Sequence, residues 1–252
     1  MEAAIVLQAR GFDVTLFEKE GVLAGSMNLA DKAYHKEKIT FAAQTMEEEL
    51  RRLGVKIVTG KAPTVDEVKA VSPAGVVVAC GAKPIIPEVP GTDLPNVVTS
   101  HDVISGKVTP QGKAAVIGAG MTGLECAESL CMNGCEVSIV EMLDHVGAGM
   151  FSVVVADMME RINSFHAGVF TSHKLKAITA EGALTENLAT GEEILIPADT
   201  VVLSLGVRPD TETAELFRQE FEHVLVIGDN EKSGRIPHAM RDGYSKARAF
   251  LT

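Results

Sequence analysis

Along this chain, apolar runs of four to six residues alternate with stretches in which apolar positions recur every three or four residues. Ala114 to Ile117, Val137 to Val140, Val76 to Cys80, Thr200 to Leu205 and Val224 to Ile227 are runs of strand length. Between Lys36 and Leu53, the apolar residues Ile39, Phe41, Ala42, Met46, Leu50 and Leu53 fall at helical spacing, and Gly54 stops that helix before a strand at Val55 to Val58. A helix from Glu2 to Arg10 ends at Gly11 and is followed by a strand from Asp13 to Phe17. Gly21 to Tyr34 reads as a loop, and Ile236 to Leu251 as a closing helix. Strands alternating with helices predict an α/β fold with parallel sheets. The cluster Glu47 to Glu49 with Arg51 and Arg52 reads as a solvated helix face.

The pattern occurs twice. At an offset of 123 residues Glu2 meets Glu125, Ala4 meets Ala127, Leu7 meets Leu130, Gly11 meets Gly134, Val14 meets Val137 and Glu18 meets Glu141. Paired spacing of this kind predicts two nucleotide-binding βαβ units. The second copy is preceded by the strand at Lys113 and the turn Gly118-Ala-Gly120-Met121-Thr122-Gly123. The first copy begins one residue past the equivalent glycine, so the chain is expected to start inside its own first site. By comparison with Lys113 to Gly123, eleven residues of strand and glycine loop are missing there. Their loss would leave a gap flanked by unpaired backbone groups.

The intact copy has a specific physical reading. Gly118 permits the tight turn from strand to helix, Gly120 leaves room for a pyrophosphate, and Gly123 lets the helix pack on the strand. Phosphate would rest on free N–H groups at the helix start. Glu141 lies 21 residues after Gly120, at the end of a strand, where a carboxylate can accept hydrogen bonds from both ribose hydroxyls. It would repel a 2′-phosphate, and Met142, Leu143 and Asp144 offer no cation, so NAD(H) is expected rather than its phosphorylated form. Glu18 is the matching ribose acid of the first site.

Composition narrows the classes. The net charge is −11, which disfavours nucleic acid and anionic membrane surfaces as partners. No apolar run approaches the length of a membrane span and no signal peptide opens the chain, so the expected location is cytoplasmic. Cys80, Cys126, Cys131 and Cys135 form no C-x-x-C pair and read as small buried apolar residues; the seven histidines form no ligand pair, so no metal site is expected.

Taken together, these residues resemble the flavin- and pyridine-nucleotide-binding half of the old-yellow-enzyme-related multidomain reductases, a group that includes 2,4-dienoyl-CoA reductase, enoate reductase and trimethylamine dehydrogenase. These lie within the pyridine nucleotide-disulfide oxidoreductase-like flavoproteins with two dinucleotide-binding domains. Ala79-Cys80-Gly81-Ala-Lys-Pro84 resembles their A-T-G-x-x-P crossing segment, with Cys80 in place of Thr, and Leu205-Gly206-Val-Arg-Pro209 resembles its repeat. Val224 to Asp229 resembles the second FAD fingerprint, which makes Gly228 and Asp229 flavin ligands. Glu18 and Lys19 take the place of the FAD ribose segment.

The resemblance implies two Rossmann-like domains. Residues 107–220 would be an NAD(H) domain inserted in an FAD domain made of residues 1–106 and 221–252, the latter without its first strand and glycine loop. It also implies hydride transfer from NADH to FAD, with no catalytic side chain in this chain. The chain would be a module of an NADH:flavin oxidoreductase of the enoate or dienoyl-CoA reductase type, partnered by a flavin-bearing TIM-barrel domain or subunit. The alternative is a truncated, non-catalytic NAD(H)-binding module that holds no FAD.

Overall fold

The computed structural model describes all 252 residues, Met1–Thr252. The chain is α/β, as its apolar pattern predicts, and divides into two compact units. The first comprises Met1–Asp31, His35–Lys83 and Val207–Thr252; the second comprises Lys32–Tyr34 and Pro84–Gly206.

The second unit is organised by a five-stranded parallel sheet. Its strands run in the order Val97–Thr99, Thr200–Leu203, Lys113–Ile117, Glu136–Val140, Gly168–Phe170. Lys113–Ile117 lies in the middle, and all of its residues after Lys113 are buried. One face is covered by helices Met121–Met132 and Ser152–Ser164, which pack Leu124, Ala127, Leu130, Met158 and Ile162 against Val116, Ile139 and Val202. The other face meets a three-stranded antiparallel sheet, His173–Thr179, Gly182–Asn187 and Glu193–Pro197, through Leu175, Ile178, Ala183 and Ile196. Each fully buried aliphatic side chain contributes about 1.5–3 kcal/mol.

In the first unit the strands are grouped differently. Thr15–Phe17 pairs in parallel with Lys56–Val58, and Val76–Val78 pairs in parallel with Val224–Val226, as two separate two-stranded sheets. Helix Glu2–Ala9 packs against both. Ala3, Val6 and Leu7 cluster with Val14, Val77, Leu225 and Ile227, while Ala4 clusters with Leu16, Leu50 and Ile57.

The division differs from boundaries at 106/107 and 220/221 for a packing reason. Val97–Thr99 is the edge strand of the second unit's sheet. Helix Thr211–Glu220 instead buries Ala214 and Phe217 against Val68, Val78 and Val226 of the first. Two local expectations also change. Residues 21–34 contain a short helix, Met27–Ala30. Cys80 is exposed, because its strand ends two residues earlier at Val78, whereas Cys126, Cys131 and Cys135 are buried.

The internal repeat reaches further than the sequence reveals. After the first copy's longer loop the offset becomes 112 residues, as from Gly54 to His166, and helix Lys38–Arg52 corresponds to Ser152–Ser164. Leu50 and Ile162 are the matching fully buried residues. Gly54 and His166 end these helices with positive φ, +80° and +59° respectively. A left-handed conformation costs an L residue about 1–2 kcal/mol, and glycine pays no such strain. His166→Gly is therefore expected to stabilise the chain by roughly 1 kcal/mol. Urea unfolding checks this, and an unchanged or lower midpoint refutes it.

Candidate dinucleotide sites

In the second unit the site is built from the end of the central strand. Gly118 turns the chain with φ +100°, and a Cβ there would overlap the carbonyl oxygen of Ser204. A Cβ on Gly123 would overlap the carbonyl oxygen of Gly118, so only glycine lets helix and strand approach this closely. At Gly120 the Cβ direction meets nothing within 4 Å, which leaves open space in front of the turn. Gly120 is the N-cap of Met121–Met132 and carries no side chain that could cap the first turn, which includes Thr122. An uncapped helix start beside open space is a cradle for a phosphate.

Glu141 is tied to this loop. One carboxylate oxygen, Oε2, accepts the N–H of Ala119 at 2.7 Å, and Oε1 accepts the N–H of Leu143 at 2.9 Å. Each oxygen keeps a second lone pair, enough for ribose hydroxyls. Gly206, with φ +85°, ends the neighbouring strand Thr200–Leu203, and its carbonyl accepts the Ile85 N–H at 3.0 Å.

In the first unit three strands deliver the expected residues from their carboxyl ends, where open α/β sheets bind ligands. Glu18 follows Thr15–Phe17, and its Oε1 accepts the N–H of Glu20 at 3.0 Å. Lys19 is exposed beside it. Ala79, Cys80 and Gly81 follow Val76–Val78, with Gly81 at φ +79°. Gly228 and Asp229 follow Val224–Val226 in a 3₁₀ turn. The Gly228 N–H donates to Asp242 Oδ2 at 2.7 Å, and Asp229 Oδ1 accepts the Gly234 N–H at 2.8 Å.

Asn230 and Asp242 are the residues that sequence reading missed. Asn230 is 1% exposed; its Oδ1 accepts the Cys80 N–H at 2.9 Å and its Nδ2 donates to the Asp210 carbonyl at 2.6 Å. One amide side chain thus joins three strand ends of the first unit. Nothing in the sequence marks it except its place after Gly-Asp.

The two sites share a hydrogen-bond pattern that goes beyond residue identity. Glu20 N–H to Glu18 matches Leu143 N–H to Glu141. Bonds from Glu18 N to Val58 O, Gly60 N to Glu20 O and Lys61 N to Glu18 O match those from Glu141 N to Phe170 O, Ser172 N to Leu143 O and His173 N to Glu141 O. Two dinucleotide-type folds in one chain are therefore present in atomic detail. A model of the pyridine nucleotide-disulphide oxidoreductases matches residues 1–243.

The chain belongs to the pyridine nucleotide-disulphide oxidoreductase family. Among members of this family, bilirubin reductase of Mediterraneibacter gnavus is 34% identical over 99% of the chain, and NADH oxidase of Thermoanaerobacter brockii is 32% identical over 98%. The chain spans 39% of each. In a solved complex of 2-naphthoyl-CoA reductase, the whole chain superimposes with a TM-score of 0.92 at 25% identity, covering 38% of that protein. The resemblance to multidomain reductases is borne out, as are FAD and NAD(P)H as the cofactors of the family. The glycine cradle of the second unit fits a dinucleotide pyrophosphate. No helix is long and apolar enough to cross a membrane.

Burial pushes the Cys126 thiol up to about 12 and the Cys131 thiol up to about 11, with the neighbouring Cys135 adding to each. The thiolate is the reactive form, so these three cysteines on and after one helix are chemically quiet. Burial also raises Cys80, which nonetheless is exposed. Iodoacetamide is expected to modify Cys80 first in the native chain and the others only after unfolding; mass mapping that finds Cys126 modified first would refute this. Gly123→Ala is expected to destabilise by roughly 1–3 kcal/mol through helix displacement. A wild-type urea midpoint in that variant would show that the turn tolerates a side chain.

Proposed function

We propose that the chain is the FAD- and NADH-binding module of an NADH-dependent flavin oxidoreductase of the enoate or dienoyl-CoA reductase type. The observation that carries the reading is the duplicated acid-and-backbone network at Glu18 and Glu141, one dinucleotide site in each unit. Residues of the second unit, Gly118 to Gly123, bind the NADH pyrophosphate through helix-start amides, and Gly206 borders the site. Glu141 takes the ribose hydroxyls and disfavours a 2′-phosphate. In the first unit Glu18, next to Lys19, takes the adenosine ribose of FAD. Gly228 and Asp229 face its ribitol and pyrophosphate, and Ala79, Cys80 and Gly81 border the same strand ends. Asp242 and Asn230 hold that turn in place.

Bound together, the two cofactors supply hydride exchange between nicotinamide and flavin. The chain's own residues hold the ribose and phosphate groups of each cofactor; no side chain is asked to move a proton. The chain spans about two fifths of its relatives, and a flavin-bearing TIM-barrel domain or subunit is the electron acceptor that fits this reading. The divided sheet of the first unit favours a second reading, in which the chain binds NAD(H) alone.

The visible absorption spectrum separates the two. After incubation with FAD and desalting, retained flavin bands that bleach anaerobically with NADH support the module; no retained flavin supports the second reading. Glu141→Ala is expected to raise the NADH concentration for half-bleaching about tenfold or more, since hydrogen bonds to charged groups contribute roughly 1.5–3 kcal/mol. An unchanged value would remove Glu141 from the site.

A further inference from the structure

In the first unit, helix Ile236–Ala249 is held on one side by close packing. A Cβ at Gly243 would lie 3.2 Å from the Cβ of Glu2, and Ala247 is fully buried, so the helix sits directly on Glu2–Ala9. Arg10 Nη1 donates to the carbonyls of Ala247 and Phe250, both at 2.6 Å, and Asp242 Oδ2 accepts the Gly228 N–H at 2.7 Å. The opposite side faces solvent and is rigidly presented. It carries the exposed residues Arg241, Tyr244 and Arg248, which spacings of three and four align along one stripe, with Met240 at its edge.

The charge of this stripe runs against the rest of the chain. Residues 232–252 hold five of the 23 Lys and Arg residues but one of the 34 Asp and Glu, in a chain whose net charge is −11. That one carboxylate, Asp242, is bound to Lys246, which also pairs with Glu231. On other helices the arginines are neutralised locally: Arg51 pairs with Glu47, Arg52 with Glu49, Arg161 with Glu128 and Asp157, and Arg218 with Glu215. Arg241 and Arg248 have no such acid, because Pro237, His238, Tyr244 and Ser245 occupy the helix positions three and four residues from them. Arg248 is also set in place. Its Nη1 donates to Tyr244 Oη at 3.0 Å and its guanidinium carbon lies 5.7 Å from the ring centroid, which leaves the rest of the fork for a carboxylate.

We infer that this stripe is a docking surface for an acidic protein partner, met through two carboxylates about 10 Å apart, the length of seven helical residues between Arg241 and Arg248. A partner helix with Asp or Glu seven residues apart matches it. Arg and Tyr carry most of the binding energy at protein interfaces when they are ordered beside apolar area, and Tyr244 and Met240 supply that area. Unpaired guanidinium groups on an otherwise acidic chain also steer an acidic partner to this one face, since the remainder repels it. Two guanidinium groups backed by a net negative chain are too small a patch for a phosphate polymer or a lipid surface, which need larger clusters of Lys and Arg. The inference is independent of the cofactor reading, which places no ligand on this stripe.

The probe is a fluorescent, alanine-rich helical peptide with two Glu seven residues apart and Leu three and four residues after the first, added to the full chain without FAD or NADH. Saturable binding is expected, weakened roughly tenfold or more by Arg241→Glu, by Arg248→Glu and by raised salt. A peptide with Gln in place of both Glu should not bind. Should a reversal lower the melting temperature, Arg241→Gln and Arg248→Gln repeat the comparison without adding charge, with a weaker loss expected. Absence of saturable binding, binding that survives both reversals, or equal binding of the Gln peptide would overturn the inference. Phosphatidylserine–phosphatidylcholine vesicles or a single-stranded oligonucleotide binding more tightly than the peptide through the same arginines would also overturn it. So would self-association in sedimentation that Arg241→Glu abolishes, because a second copy then occupies the stripe. Peptide binding with no flavin retained would defeat the cofactor reading and leave the docking surface standing.

Discussion

The site in the second unit depends on one close approach, that of the Gly123 backbone to the carbonyl of Gly118. A side chain at Gly123 would push helix Met121–Met132 off the central strand, and the rest of the site follows from its staying there. With the helix seated, its start opens onto the clear side of Gly120, and the Ala119 N–H comes within reach of Glu141. Leu124, Ala127 and Leu130 of the same helix are fully buried, so the packing that stabilises the unit also fixes the cradle.

The first unit shows the same construction under a different balance of forces. Forty residues separate Glu18 from Val58, against twenty-nine between Glu141 and Phe170, yet the backbone–backbone bonds around the two acids agree one for one. A longer loop costs little, because closure entropy grows only logarithmically with length. The sheets differ more. Where the five-stranded sheet buries nearly every residue of its central strands, the two ribbons leave Thr15 exposed and Leu16, Phe17, Val76 and Val77 half-buried. Asn230 offsets part of that looseness by joining Cys80 and Asp210 across the strand ends. Buried and doubly bonded, its amide holds backbone groups that would otherwise lose both water and partners.

A chain of this kind works by placement. Its strand ends offer carboxylates, glycines and helix amides, the groups that bind ribose and phosphate, and its thiols are buried or raised in pKa. That is the division of labour expected where a cofactor carries the redox chemistry and the protein orients it.

The sequence by itself determined the α/β class, the repeat from Glu2 to Glu18, the glycine turn and its acid, because each depends on short-range periodicity or on residues with a single steric purpose. Gly118 and Gly123 are legible since no other residue fits those backbone positions, and Gly120 since its missing side chain leaves the front of the turn clear. Only the tertiary structure decided the rest. The antiparallel sheet at 173–197 and the transfer of Val97–Thr99 to the second unit rest on long-range strand pairing, which local pattern does not encode. The exposure of Cys80 depends on where its strand stops, and the roles of Asn230 and Asp242 depend on backbone groups brought from distant segments. The repeat after Glu18 stayed hidden for a similar reason: Leu50 and Ile162, or Gly54 and His166, share a position in space and a backbone conformation but not an identity. Backbone hydrogen bonds preserve that equivalence where side chains do not.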